Sequence, residues 1–482
     1  MSKFTRRTLL KSAAASTTFS LFTISGTKAS GRVIGANDTI RIGVAGIKGR
    51  GSSHMNAYAG MSNVDVTYLI DPDSSLFGPR SEQIEKRGGN TPKCVQDIRE
   101  ALDDPNLDAV SVATCNHWHS LIGIWACQAG KDAYVEKPIS HNVYEGRKLV
   151  EAAKYHKRIV QHGTQQRSDP GRAQQIAAIQ SGKYGKLLVS KGYCCKPRWS
   201  IGFKPKEKIP ATLDFNLWLG PAPDQPFHRN LVHYNWHWFW DTGNGDTGNQ
   251  GVHEMDVARW AIRGSTLPNR VWSVGGRYAP GEKDLADQGE TPNMQLSVYE
   301  YGDVLLVFET RGLVGKDGAP DRKVANEFYT TEGKIVGWKF YPKDGGDPVA
   351  VEGEASVTPG GPFGSFIAAM RSRNNQDINC DAEVGHYSSA LCHLGNISYR
   401  LGENSTFDKD CEALGNNPQV VESFEMMQHN LKAIDINLGQ AACHVGRVLD
   451  FNTKSEQFVN DDQANALLTR NYRAPFAVPD TV

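Results

Sequence analysis

Between Thr39 and Gly163 short β-branched runs alternate with helical patterns, and few folds accommodate that alternation. Thr39-Ile-Arg-Ile-Gly-Val-Ala45 is rich in strand formers and reads as the first strand. It runs into Gly46-Ile-Lys-Gly-Arg-Gly51 and a helix over 52–61. A second strand over 64–70 ends at Asp71-Pro72-Asp73. A helix over 74–86, a short strand around Cys94 and a helix over 98–102 follow. The run 108–114 is a buried strand with Asn116-His-Trp-His119 at its carboxyl end. A helix over 121–129, a strand over 132–135, a helix over 143–155 and a strand over 158–163 complete the series. Strands separated by helices pair in parallel, so the prediction is an α/β fold built on a doubly wound parallel sheet.

The character changes after Thr164. A helix over 170–180 precedes strands over 187–195, 270–278, 294–301, 304–310 and 326–331. Few helices intervene, which predicts a second, α+β domain with an open, mostly antiparallel sheet. An insertion over 196–265, dense in Trp, His, Asn and Gly, separates its first two strands. The last third reads as helical, over 363–372, 384–401 and 420–449. Gly402, Phe407, Asp408, Glu412 and Asn416 recur at constant offset as Gly446, Phe451, Asn452, Glu456 and Asn460, which suggests a duplicated helix-plus-turn.

The amino terminus reads as a targeting segment. Thr5-Arg6-Arg7-Thr8-Leu9-Leu10-Lys11 is a twin-arginine pattern, followed by a mild apolar run and small residues near Ala29. That run is too short and too rich in Ser and Thr to span a membrane. Export in the folded state to the periplasm is expected, with the twin-arginine machinery as a partner. The expected organisation is 1–30 signal peptide, 31–38 linker, 39–165 nucleotide-binding domain and 166–482 substrate and oligomerisation domain. Lys plus Arg equals Asp plus Glu at 53 each, so no basic footprint for nucleic acid appears. The nine Cys form no CxxC and no zinc-type Cys/His spacing, so they read as buried thiols and no metal is expected.

The glycine turn after the first strand has the context of a pyrophosphate cradle, where absent Cβ atoms let the backbone approach and a helix amino terminus supplies N–H groups. Gly46 and Gly51 match the G-x-G-x-x-G spacing; the middle position is Lys48, with Gly49 and Arg50 beside it. Asp71 ends the second strand, where a carboxylate accepts from ribose hydroxyls and repels a 2′-phosphate. NAD is therefore expected over NADP.

Asn116-His-Trp-His119, Glu136-Lys-Pro138 and Gly163-Thr-Gln-Gln-Arg167 stand at successive strand ends. With them the chain resembles the Gfo/Idh/MocA family of glucose–fructose oxidoreductase and inositol dehydrogenase relatives. The resemblance implies a Rossmann domain, a C-terminal α/β domain that can self-associate, and oxidation or reduction of carbohydrate carbinols by bound NAD(P). It implies that Lys137 contacts the nicotinamide ribose and the substrate hydroxyl, with Thr114, Asn116, His119 and Glu136 completing the cofactor set. The family's Asp and His, four residues apart, fall on Asn249 and His253. Asn249 can orient a hydroxyl but cannot become a carboxylate, so His253, whose unperturbed pKa lies near neutrality, is the better candidate for proton transfer, and a Lys137 of depressed pKa is the alternative that shares it. Asp256, one turn beyond His253, is expected to orient its ring.

Aromatic faces stack on sugar rings while His and Asn bind hydroxyls, so His233, Trp236 and His237 are expected near substrate. Gln166, Arg167 and Tyr193 are further candidates. A periplasm without a free NAD pool favours a retained cofactor. The primary expectation is an NAD-dependent sugar oxidoreductase. The alternatives are redox-neutral glycoside cleavage on bound NAD and a non-catalytic carbohydrate- or nucleotide-binding protein.

Overall fold

The computed structural model describes residues 38–280, 286–315, 319–407 and 414–482. The twin-arginine segment, almost all of the linker, Cys411, and Asp408 and Glu412 of the repeat lie outside them.

The expected parallel sheet is present. Strands β1 (Ile40–Ala45), β2 (Val64–Ile70), β3 (Lys93–Val95), β4 (Ala109–Val112), β5 (Asp132–Val135) and β6 (Val160–His162) pair in the order β3-β2-β1-β4-β5-β6. Between them run α1 (Arg50–Ala59), α2 (Phe77–Glu85), α3 (Ile98–Leu102), α4 (His119–Gln128) and α5 (Val143–Tyr155). The strands are apolar on both faces because both are covered. On one face Ala133 and Val135 join the core that holds Ile122 and Ala126 of α4. On the other, Tyr134 packs with Tyr58 of α1. The order reverses between β1 and β4, and a crevice opens there at the strands' carboxyl ends.

After α6 (Pro170–Gln180), capped by Asp169 with Pro170 in its first turn, the chain builds the second sheet. It comprises β7 (Leu187–Cys195), β8 (Arg270–Gly276), β9 (Met294–Tyr301), β10 (Val304–Arg311), β11 (Lys323–Thr330), β12 (Gly333–Val336), β13 (Lys339–Pro342), β14 (Val349–Ala350), β15 (Glu403–Ser405) and β16 (Cys443–Val445). Only β7 and β10 run parallel along this path; the other neighbours are antiparallel. The insertion between β7 and β8 carries α7 (Phe215–Leu219) and α8 (Val252–Ala261), followed later by α9 (Gly361–Ser372), α10 (Ala382–Arg400) and α11 (Pro418–Lys432). Met255 and Ala258 of α8 and Leu391 and Leu394 of α10 pack on one face of the sheet, against Cys194 and Phe308. Phe424, Met427 and Leu431 of α11 cover part of the other.

Two expectations are corrected. The helix expected to reach Leu449 stops at Lys432; Asp435 adopts φ 62°, which an α-helix cannot continue through, and β16 follows. The segment 446–460 is a hairpin of β17 (Leu449–Asn452) and β18 (Gln457–Phe458), not a helix-plus-turn. Strands β12 to β14 went unread because they are too short for an alternation to register.

The nucleotide-binding core is not closed by residues 39–165 alone. Phe366, Ala369 and Met370 of α9 pack beside Tyr58 and Tyr134. Phe476 from the chain's end stacks edge-on to Trp118 at 5.4 Å.

Candidate active site

The glycine turn is tight on one side and open on the other. Gly46 has φ 78°, and a Cβ there would stand 2.5 Å from the carbonyl oxygen of Ala113; a Cβ on Gly51 would strike the Gly46 oxygen at 1.8 Å. Gly49 meets nothing within 4 Å and begins α1 without a side-chain cap or an acid in the first turn. The unpaired N–H groups and positive end of α1 are thus left for an anion, and the cradle fits a pyrophosphate. Asp71 is buried and accepts from the N–H groups of Ile47 and Asp73, both at 3.0 Å. Burial pushes its carboxyl up to about 6, against the pull of those two bonds. Lys48 and Asp71 line the same cleft, of about 420 Å³.

At the next strand end stands the Glu-Lys-Pro turn, with a cis Lys137–Pro138 peptide. Glu136 is buried, and burial alone would raise its pKa. His54 Nε2 at 3.0 Å, Arg50 Nε at 2.8 Å and nearby Lys137 overcome that and hold it well below the carboxylate range. Arg50 thereby spends its charge on Glu136 at the cleft edge. Lys137 Nζ donates to the main-chain oxygen of Asn249. Burial lowers the lysine's pKa, opposed by Glu136 and Asp246. His119 bridges strand ends, its two ring nitrogens lying 2.6 Å from the Pro138 oxygen and 3.1 Å from the Thr114 oxygen. Asn116 also lines the cleft and donates to Asn244.

Asn249 and His253 face the same cavity. Asn249 lies in a π-helical turn, Thr247–Gly251, that runs straight into α8. Burial and the neighbouring Lys137 push His253 down to about 3, so its ring is neutral near physiological pH and it is not the near-neutral base expected.

Four expected residues are placed elsewhere. Asp256 does not orient His253; a fully buried carboxylate needs a cation, and Arg167 provides it, with Nε at 2.9 and 3.0 Å. Ser388 Oγ adds a bond at 2.5 Å. Arg167 is therefore withdrawn from the substrate, its guanidinium lying 4.7 Å from the Trp260 ring. Gln166 does not line the cleft; its neighbour Gln165 does, reaching toward Glu136. Tyr193 lies on the sheet face away from α8 and donates to Glu327 at 2.9 Å.

The insertion roofs the cleft. His233, Trp236 and His237 line it, joined by Leu217, Trp218 and Tyr234, which were not singled out. Asp214 caps α7, and an N-cap Asp before Phe-Asn-Leu-Trp-Leu was the signal available. The roof is bonded to the parallel sheet at both ends. Asp73 and Leu213 form an isolated bridge, Asp214 N–H donates to the Pro72 oxygen at 2.9 Å, and His233 Nε2 lies 2.9 Å from Asp73. At the other end His117 Nε2 lies 3.0 Å from the Trp218 oxygen, and the Trp118 indole donates to Leu217.

The NAD-binding Rossmann model of the Gfo/Idh/MocA oxidoreductases matches residues 40–164, and their C-terminal α/β model matches 182–272 and 422–478. The chain belongs to the Gfo/Idh/MocA oxidoreductase family. Levoglucosan dehydrogenase of Pseudarthrobacter phenanthrenivorans is 23% identical over 319 residues, covering 62% of this chain and 73% of that protein. The NAD-dependent scyllo-inositol 2-dehydrogenase of Bacillus subtilis is 32% identical over 155 residues, covering 32% of this chain and 44% of that protein. The latter match thus spans less than half of the relative's length. A levoglucosan dehydrogenase structure in complex with NADH and levoglucosan shares the fold, with a TM-score of 0.54 at 19% identity, over 74% of this Gfo/Idh/MocA chain and 95% of the other.

Proposed function

We propose that this Gfo/Idh/MocA protein oxidises a carbinol of a sugar or sugar derivative with NAD held in the cleft. One observation carries the reading: the glycine cradle, Lys137, Asn249, His253 and the aromatic roof all face one cavity. NAD bound there supplies the hydride acceptor. Gly46, Gly49 and Gly51 would seat its pyrophosphate, Asp71 its ribose hydroxyls, and Asn116 and Lys137 its nicotinamide end.

The proton is the task of the chain. His253, neutral and pushed down to about 3, is too weak a base at neutral pH to take it, but can hold a hydroxyl. Lys137 is the better base, because burial favours its neutral amine and its bond to the Asn249 oxygen fixes where Nζ sits. Asn249 binds a hydroxyl without titrating, and Trp236 and Trp218 offer ring faces to the sugar.

Retention of NAD belongs to the same proposal, supported by the roof bonded across the cleft mouth. So does export, supported by Arg6-Arg7 and the run that follows them. Self-association through the free end of the large sheet, where Trp338 and Tyr341 stand exposed, completes it. Mass spectrometry of the denatured protein should find NAD, and incubation with candidate sugars should give keto-sugar in proportion to NADH. Released aglycone without net change in cofactor redox state would replace this reading with redox-neutral cleavage. Absence of any nicotinamide and of NADH formation would leave a binding protein. Loss of periplasmic protein on replacing Arg6 and Arg7 with Lys tests export, and light scattering tests self-association.

A further inference from the structure

Behind the cleft wall, Asn244 makes a set of bonds that neither cofactor nor substrate can reach. Its Nδ2 lies 2.9 Å from the main-chain oxygen of His141 and 3.4 Å from His393 Nδ1. Its own main-chain oxygen accepts from Thr247 Oγ1 at 2.8 Å and Asn396 Nδ2 at 2.9 Å. Its Oδ1 accepts from Asn116 Nδ2 at 2.9 Å. Asn244 and Asn116 are 5% and 2% exposed, so neither amide can exchange these partners for water.

The polarity of the pair follows from one end. A peptide carbonyl only accepts, so the Asn244 atom facing His141 must be the NH₂ group. That turns Asn244 Oδ1 toward Asn116, and an oxygen in turn requires the Asn116 NH₂ group. Asn116 Oδ1 is the atom left over. It has no partner among the described residues, and Asn116 lines the cleft. The wall therefore presents an acceptor at this point and demands a donor from whatever binds.

We propose that Asn244 is a positioning residue that fixes Asn116 with its amide oxygen toward the cleft, where it accepts an N–H of the nicotinamide carboxamide. This rests on the NAD reading above and assigns the end of the cofactor that Asn116 recognises. The carboxamide is the donor on the reactive ring. In the acetylpyridine analogue of NAD a methyl group replaces its nitrogen, so that analogue cannot make the bond.

The purified protein is incubated with equal concentrations of NAD and the acetylpyridine analogue, and the nucleotide it retains is identified by mass spectrometry. Wild type is expected to prefer NAD by about tenfold, the size of one buried hydrogen bond. Asn116→Leu should bring the ratio near one without disturbing the bonds of Asn244 to His141. Asn244→Leu, which frees Asn116 to turn, should do the same. Asn244→Asp keeps an oxygen facing Asn116 and should keep the preference, although both variants lower the melting temperature. A role for Asn244 in stability alone predicts that Leu and Asp behave alike. The proposal is overturned if they do, or if Asn116→Leu retains the wild-type ratio. If the denatured wild type releases no nicotinamide nucleotide, whether carried from the cell or taken up, the NAD reading itself falls with it.

Discussion

One wall of the cleft is the carboxyl edge of the parallel sheet, where Gly46, Asn116 and Lys137 each stand just past a strand end. The other is the roof over 213–240, where Trp218, His233 and Trp236 stand on a stretch whose regular structure is a five-residue helix and one 3₁₀ turn. The first wall is held by a ladder of main-chain bonds buried on both sides. The second is held by bonds to the first: the Asp73–Leu213 bridge, His233 on Asp73, and Trp118 on Leu217. Elements with few ladder bonds of their own open at lower cost than the sheet beneath them. Under the proposed function the comparison points to a division of labour, with the proton transfer of Lys137 on the rigid wall and admission and retention on the bonded one.

The largest expected effect tests the rigid wall. Lys137→Met should lower turnover by about 10²–10⁴-fold, the usual worth of a positioned general base, while NAD stays bound. Wild-type oxidation should rise with pH until Lys137 is neutral and then level off, since burial lowers its pKa and the neutral amine is the base. That rise should vanish in the variant. A variant with full turnover and an unchanged pH profile would move the proton chemistry off this wall.

Arg167→Met tests the buried ion pair just past β6. It leaves Asp256 fully buried and without its principal cation, which should cost about 3–5 kcal/mol, read as a lower denaturation midpoint. Arg259, 4.0 Å from Asp256, softens the loss, so a shift toward the lower figure would measure its share.

The two walls also differed in how far the chain announced them. Every strand and most helices up to Gly163 were legible, because a strand buried on both faces reads as an apolar run and Asp71, Asn116 and Lys137 follow such runs directly. The glycine turn was legible by position, although Lys48 stands where a third glycine would. Asp256 and Arg167 were misplaced because helical spacing shows which residues can meet on one helix, not which cation arrives from another element. Trp218 was missed because nothing in a loop sequence marks which aromatic turns inward. The short strands β12 to β14 and the hairpin over 446–460 were lost although they pair with sequence neighbours, because two to four residues are too few for an alternation to register.

A pH titration addresses both walls at once. His117, His162 and His393 are buried, and burial pushes them down to about 3, 4 and 3. Above about pH 6.5, the ordinary histidine value, both folded and unfolded chains hold them neutral, and their contribution to stability is complete. As pH falls below that, the unfolded chain takes up protons that the folded chain refuses until pH 3–4. Each histidine then removes about 1.4 kcal/mol per pH unit across that window. Glu254 and Asp71, which burial pushes up to about 8 and about 6, work in the opposite sense as pH falls, so the denaturation midpoint should fall below pH 6.5 by less than the three histidines alone would give. His117 bonds to the Trp218 oxygen of the roof, so His117→Asn should reduce the acid slope by about one proton.

The smallest expected effect is on the bonded wall. His233→Ala removes a half-buried contact to Asp73 but leaves the Asp73–Leu213 bridge and the Asp214 bond to Pro72 in place. One such contact is worth about 1 kcal/mol, so exchange of bound NAD for labelled NAD should quicken roughly five- to tenfold. Burial and Lys48 lower the His233 pKa while Asp73 raises it; the ring is mainly neutral at pH 7.5, and release should not change with pH above that. If exchange is already complete within mixing time in the wild type, the roof does not retain the cofactor. Both walls would then serve chemistry, and the division between them would be one of architecture alone.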